Sequence, residues 1–295
     1  MQNQILKIYL RVHIFFVFCL IALGGAVRSM NAGLACPDWP LCFGKVIPDY
    51  QIQVYYEFIH RVLAGLETFL TLGLLVFIVS KPFDKKIKRT IIISTTLLFT
   101  QVVLGGLTVL KLLHFSIVTA HLAVAICFLC SLLWLYFQLF EPPKLNSETI
   151  PKSFQTLLFI ITAMIFIQIL IGGLVSSNYA GLVCEGFPLC NGMLAPTFDG
   201  LIGLQVKHRL WGYLTALAIL SFVQVIWKNR NQKWMEPKIV RYGLWLTTLI
   251  IVQIVVGAMN VIFKTPPTIT VVHLAIAATL IGLMLKIYFV GTKKS

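Results

Sequence analysis

Eight long apolar runs limit what this chain can fold into more than any other feature of its sequence. A helix of about 20 residues crosses the hydrocarbon core of a bilayer, and each run reaches that length with few charges. The runs cover residues 8–29, 54–80, 89–110, 114–138, 154–176, 203–227, 239–262 and 268–290. In lipid a backbone must pair its own polar groups, so such runs fold as helices. We therefore predict an all-α integral membrane protein with eight transmembrane helices. The first run lacks a small-residue cleavage site, so we expect it to be retained rather than removed as a signal peptide.

The basic residues predict how these helices are oriented. The chain has 24 Lys and Arg against 10 Asp and Glu, a net charge of +14, which in a soluble protein would suggest a nucleic-acid partner. Here 17 of the 24 fall on one side of an eight-helix topology, mainly in residues 81–89, 141–152, 228–241 and 292–295. Cytoplasmic loops carry such an excess. We predict a multi-pass protein of the cell membrane with both termini cytoplasmic, lipid as its surroundings and no nucleic acid bound.

An internal repeat divides the chain into two halves. Residues 24–48 align without gaps on residues 172–196, an offset of 148, with 13 identities in 25 positions. Further along the chain the offset becomes 152, where "QVVLGG" falls on "QIVVGA" and "HLAVA" on "HLAIA". We predict an N-terminal four-helix half (1–140), a cytoplasmic linker (141–153) and a C-terminal four-helix half (154–295). Since each half has an even number of helices, the two four-helix bundles are parallel repeats about an axis along the membrane normal.

Four of the six histidines obey this repeat. His60 falls on His208 and His121 falls on His273, and all four lie about 10 Å below the outer surface at 1.5 Å per helical residue. Facing helices of a bundle build cofactor sites, and paired histidines are natural axial ligands of haem iron. Hydrogen bonding between membrane helices is the alternative, but four ionisable residues in register are costly and favour a function. Zinc is disfavoured because no Cys or carboxylate cluster accompanies them.

Two arginines and several glycines could also belong to these sites. Arg61 and Arg209 follow two of them directly and could either pair with haem propionates or extend to the membrane interface. Several glycines could admit a flat macrocycle or simply pack helices closely: Gly24, Gly25, Gly105, Gly106, Gly172, Gly173 and Gly257.

One acidic residue distinguishes the halves. Glu57 lies one helical turn before His60, on the same face, and its counterpart is Gln205. A carboxylate beside a redox centre can take up a proton, whereas an amide cannot. A capping role or a pair with Arg61 is the alternative. We interpret Glu57 as a catalytic residue, so that the first half holds a substrate and the second a permanent cofactor.

Each outer loop contains two cysteines separated by five residues. Cys36 with Cys42 and Cys184 with Cys190 lie on the oxidising side of the predicted topology, where disulfides persist. Closing so short a loop is worth roughly 2–3 kcal/mol on the loop-entropy model. A disulfide is therefore predicted in each half, and redox chemistry at the thiols is the alternative.

Together these features resemble the haem A synthase family. The resemblance rests on two four-helix halves, the "EFIHR" opening of the second helix, histidines in every even helix and the paired-cysteine loops, and it covers nearly the whole chain. It implies an oxidoreductase that converts the C8 methyl group of haem O to the formyl group of haem A through hydroxylated intermediates. It also implies haem b as a cofactor on His208 and His273, and substrate haem O near His60 and His121 with Glu57 beside it. Candidate partners, which the sequence itself does not specify, are a haem O synthase, an electron acceptor and a second copy of the chain.

Other functions share parts of this pattern. A dihaem b-type cytochrome that carries electrons from quinol would use the same histidines but has no need of the difference between Glu57 and Gln205. An outer-face thiol oxidoreductase would depend on the cysteines and not on the histidines. A haem transporter would bind haem O and release it unchanged.

Overall fold

The computed structural model describes residues 2–141 and 150–292, and it places them in eight long α-helices. The helices are α1 Gln2–Ser29, α2 Ile52–Ser80, α3 Lys85–Leu110, α4 Phe115–Phe140, α5 Lys152–Ser177, α6 Gly200–Lys228, α7 Pro237–Ile262 and α8 Pro267–Thr292. All eight are long and apolar enough to cross a membrane, and these residues contain no β-strand. The predicted fold class is confirmed.

The helices extend a few residues past the apolar runs because polar residues begin them. The Asp84 carboxylate accepts a hydrogen bond from the backbone N–H of Lys86 (3.2 Å) and so starts α3 ahead of its apolar stretch. At the start of α7, Pro237 occupies the first turn, where a missing N–H costs nothing. At α3 and α7 the helix start therefore follows these terminal residues rather than the apolar run.

Four helices form the centre of the molecule. Helices α1, α4, α5 and α8 pack against one another, while α2, α3, α6 and α7 pack on their flanks. The buried core is mostly aliphatic, as Ile126 and Leu132 on α4 illustrate, with a few phenylalanines among these side chains. Large apolar side chains on the flanking helices face outward instead, as Phe69 does with three quarters of its surface exposed. Outward-facing apolar side chains are expected where lipid surrounds the helices.

Two glycine contacts join the halves. Gly25 on α1 lies against Leu274 on α8, and Gly173 on α5 lies against Leu122 on α4. The two contacts occupy matching positions at the 148 and 152 offsets. The repeat arrangement, the domain boundaries and the orientation in the membrane stay predictions. Residues 142–149 of the predicted linker lie outside the described residues.

Candidate functional site

Each of the four repeat histidines packs against a glycine of the preceding helix. A Cβ atom added at the glycine would lie closer to the ring carbon Cε1 than an ordinary van der Waals contact allows. The pairs and those distances are Gly24–His60 (3.2 Å), Gly105–His121 (3.3 Å), Gly172–His208 (3.0 Å) and Gly257–His273 (2.9 Å). Such separations leave no room for a side chain, so the glycines admit the imidazole rings. The other predicted glycines contact different groups: Gly106 lies against the Trp39 ring.

The structure brings the histidines together in two pairs. His60 lies close enough to His121 for the two rings to interact electrostatically, and His208 is related to His273 in the same way. The members of each pair stand on separate helices of one half. That these pairs form two haem sites, one in each half, stays a prediction.

Three glutamines contact these histidines, and sequence reasoning missed them. The amide Nε2 of Gln101 lies 3.2 Å from Nε2 of His121, and that of Gln253 lies 3.3 Å from Nε2 of His273. Gln168 approaches Nδ1 of His208 at 3.2 Å. Each glutamine stands four residues before the glycine that contacts the same ring, a spacing that could have revealed them.

The four histidines are suited to act as ligands of haem iron. The Nδ1 atoms of His60, His121 and His273 are buried without a hydrogen-bond partner among the described residues, a costly state for a polar atom unless a ligand or ring rotation satisfies it. All four side chains nevertheless keep part of their surface open. Within residues 2–141 and 150–292, no group of three or more His, Cys, Asp or Glu could hold a metal ion alone. Two imidazoles per half therefore suit a metal that brings its own equatorial ligands.

Glu57 connects the first histidine pair to the first outer loop. Its carboxylate is buried and accepts a hydrogen bond from the Cys36 backbone N–H (2.8 Å) and a second from the Arg61 guanidinium (2.5 Å). Arg61 also donates to the carbonyl oxygens of Asp38 and Leu41. The propionate role of this arginine stays a prediction, since here its guanidinium holds the loop.

The second outer loop is built alike but has no counterpart of the Glu57 carboxylate. Arg209 donates to the carbonyl oxygens of Leu189 (2.7 Å) and Cys184 (3.1 Å). Gln205, in the place of Glu57, donates to the Gly181 carbonyl at 3.3 Å, and its own Oε1 is buried without a partner among the described residues. The two halves therefore differ in charge next to otherwise similar loops.

Both predicted disulfides are present. Cys36 is bonded to Cys42, and Cys184 is bonded to Cys190. In the first loop the Asp38 carboxylate also accepts hydrogen bonds from the backbone N–H groups of Gly44 and Phe43, both 2.7 Å long. The Gly44 bond is the largest reason why the pKa of Asp38 is lowered from its ordinary value. Each loop is thus fixed covalently and by hydrogen bonds.

A further buried polar cluster lies deeper in the first half. His13 Nε2 lies 2.5 Å from Glu67 Oε1, both side chains are about 1% exposed, and the Thr71 hydroxyl donates to the same carboxylate oxygen (2.9 Å). His13 has no counterpart in the repeat, and no sequence pattern indicates its partner, Glu67, two helical turns beyond His60. The cluster joins α1 to α2.

Fold and site together define a class of polytopic membrane protein in which two pairs of histidines lie inside helix bundles next to disulfide-closed loops. Within that class, the chain belongs to the COX15-CtaA family of cytochrome oxidase assembly proteins, whose family model matches residues 7–285.

Similar proteins align with between 72% and 100% of the chain. One is a "Heme A synthase" of Shewanella oneidensis, 29% identical, with 97% of each chain aligned. Another of the same name, from Alkalihalophilus pseudofirmus, is 24% identical over the whole of both chains. A third, from Shouchella clausii, is 30% identical over 72% of each chain.

Proposed function

We propose that this chain is an enzyme of haem A biosynthesis that oxidises the C8 methyl group of haem O to a formyl group, through hydroxylated intermediates. The observation that carries the proposal is the alignment with proteins named heme A synthase over 97–100% of the chain. The histidine pairs and the Glu57 carboxylate next to one of them support the same function. The protein works in the cell membrane, which the eight apolar helices suit.

The two halves divide the work in this proposal. His208 and His273 hold a resident haem b, and His60 and His121 hold haem O. When bound, haem b supplies one-electron redox chemistry. The support for this division is Glu57, because the second half has Gln205 at the matching position and an amide cannot take up a proton.

Glu57 is the proposed proton acceptor of the first site. It lies one helical turn from His60 on the same face of α2, and its buried carboxylate is held in one orientation by the Cys36 N–H and by Arg61. A positioned base of this kind contributes about 10²–10⁴-fold to a rate.

Chromatography of extracted haems tests the function and the role of Glu57. We expect haem A and its alcohol intermediate from cells that supply haem O and express the wild-type chain, and about 100-fold less haem A from Glu57→Gln. Gln205→Ala is the matched control and should retain the wild-type yield. Haem O recovered unchanged from the wild type would refute the function, whereas a normal yield from Glu57→Gln would refute only the assignment of Glu57.

The haem b assignment has its own test. His208→Ala and His273→Ala should each abolish the low-spin haem b spectrum of the purified protein, while His60→Ala should keep it. The electron-transfer cytochrome and the thiol oxidoreductase are not favoured by the relatives. The first of them would carry only unmodified haem, and the second would remain active without the histidines.

A further inference from the structure

The glutamine contacts follow a pattern that one helix breaks. Helices α3, α5 and α7 each present a glutamine and, one turn later on the same face, a glycine, and both touch the same imidazole. These pairs are Gln101–Gly105, Gln168–Gly172 and Gln253–Gly257. Helix α1 has the glycine, Gly24, but carries Leu20 where the glutamine would stand. His60 is thus the only one of the four histidines whose ring nitrogens form no hydrogen bond with another described residue.

A second position near this histidine also differs between the two halves. The Gln168 amide fits beside α6 because residue 212 is glycine: a Cβ atom there would lie 3.0 Å from Gln168 Nε2. The same amide also donates to the His208 carbonyl oxygen (3.1 Å). At the matching position of the first half stands Ala64. Both residues that let a glutamine reach the ring in the second half are therefore replaced in the first.

The chemistry of a ligating imidazole explains why this difference matters. When one ring nitrogen binds iron, the other carries a proton and needs an acceptor, which fixes the ring and strengthens the ligand. An amide offers both a donor and an acceptor, exchanged by a half-turn of its plane. The Oε1 atoms of Gln101, Gln168 and Gln253 are all buried without a partner among the described residues. A half-turn of the Gln168 amide would bring Oε1 to Nδ1 of His208 as an acceptor, in exchange for the bond that Nε2 donates to the His208 carbonyl oxygen.

We propose that haem bound in the first half exchanges because no glutamine fixes the His60 ring. Haem bound in the second half is retained because Gln168 fixes the His208 ring. This inference rests on the proposed haem ligation by the histidine pairs. It gives a physical basis for a substrate haem that must enter and leave beside a cofactor haem that must stay. Gln168 acts here as a positioning residue.

Transfer of haem to an acceptor protein tests this proposal without depending on catalysis. The purified protein is loaded with iron protoporphyrin IX, mixed with excess apomyoglobin, and the Soret band is followed over time. His60→Ala and His208→Ala assign each kinetic phase to one half. We expect the wild type to lose haem from the first half at least about tenfold faster than from the second.

Exchanging these residues between the halves should also exchange their rates of haem release. Leu20→Gln combined with Ala64→Gly should slow release from the first half about tenfold, and Leu20→Met with Ala64→Gly is the apolar control that should not. Gln168→Met should speed release from the second half about 10–100-fold, and Gln168→Glu, which keeps an acceptor, should restore retention. Thermal unfolding of every variant separates a ligand effect from misfolding.

Each outcome has one meaning. Equal rates of haem release from the two halves of the wild type would overturn the role of the glutamines. Unchanged rates in both the Leu20→Gln/Ala64→Gly and the Gln168→Met variants would do the same. Phases that do not respond to His60→Ala or His208→Ala would instead overturn the ligand assignment on which the inference rests.

Discussion

At the scale of single residues, the first outer loop depends on side chains that the second loop lacks. Asp38 accepts two backbone hydrogen bonds, whereas the matching residue is Gly186, with φ of 76°. That backbone conformation favours glycine because it has no Cβ. The second loop uses the Asn191 side chain instead, which accepts from the Glu185 N–H (2.8 Å). Similar loop sequences thus reach similar shapes through different hydrogen bonds.

The Asp38 carboxylate should make the first loop sensitive to acid. Because the pKa of Asp38 is lower in the folded protein than its ordinary value of 3.8, its contribution to stability is complete above that value. The contribution is lost as pH falls through the folded value. Thermal unfolding between pH 3 and pH 6 should therefore show a steeper loss of stability in the wild type than in Asp38→Asn. Identical profiles would mean that the carboxylate does not hold the loop.

At the scale of helices, glycine decides how closely two of them approach at a histidine. A Cβ atom at Gly257 would lie 2.9 Å from Cε1 of His273, which is shorter than a normal carbon–carbon contact. The imidazole or its helix would have to shift to make room. By contrast, nothing lies within 4 Å of a Cβ atom added at Gly65 on α2.

Alanine should impair haem binding at Gly257 but not at Gly65. We expect Gly257→Ala to displace His273 and weaken haem binding in the second half about tenfold, seen as loss of the low-spin spectrum on dilution. Gly65→Ala should leave the spectrum unchanged, since it adds a methyl group in open space and improves helix propensity. Normal haem affinity in Gly257→Ala would show that the close contact is not required.

At the scale of the whole molecule, a charged cluster fastens the two halves at the end opposite the disulfide loops. Glu141, at the end of α4, pairs with Lys238 on α7 (3.1 Å) and with Lys286 on α8. Burial alone would raise the pKa of Glu141, but the hydrogen bonds from Lys286 and Lys238 lower it below the ordinary value of 4.5. The ionised carboxylate is therefore part of the contact between the halves.

Removing this charge should loosen the assembly of the halves. Glu141→Gln should lower the free energy of unfolding by about 1 kcal/mol at pH 7. The difference from the wild type should shrink as pH falls below 4.5, where the wild-type carboxylate becomes protonated in the unfolded and then in the folded state. Glu185→Gln, which removes an exposed carboxylate from the outer loop, is the control. Equal stability of Glu141→Gln and the wild type would contradict the role of the cluster.

Much of this protein is determined by its sequence alone. The eight helices follow from apolar length, because lipid forces every such segment to pair its own backbone. The four histidines, the two disulfides and the Glu57 position follow from comparing one half with the other. These are local features or matches along the chain, so they can be found without knowing how the helices pack.

The tertiary structure alone decided which side chains meet. Only packing showed that Gly24 and its equivalents lie against imidazoles, that Gln168 reaches His208, that Arg61 holds loop carbonyls, and that His13 pairs with Glu67. The physical reason is that lipid tails and neighbouring helices are equally apolar, so hydrophobic periodicity does not reveal which face of a membrane helix touches which neighbour. Helix rotation and tilt settle those contacts, and they are properties of the assembled bundle.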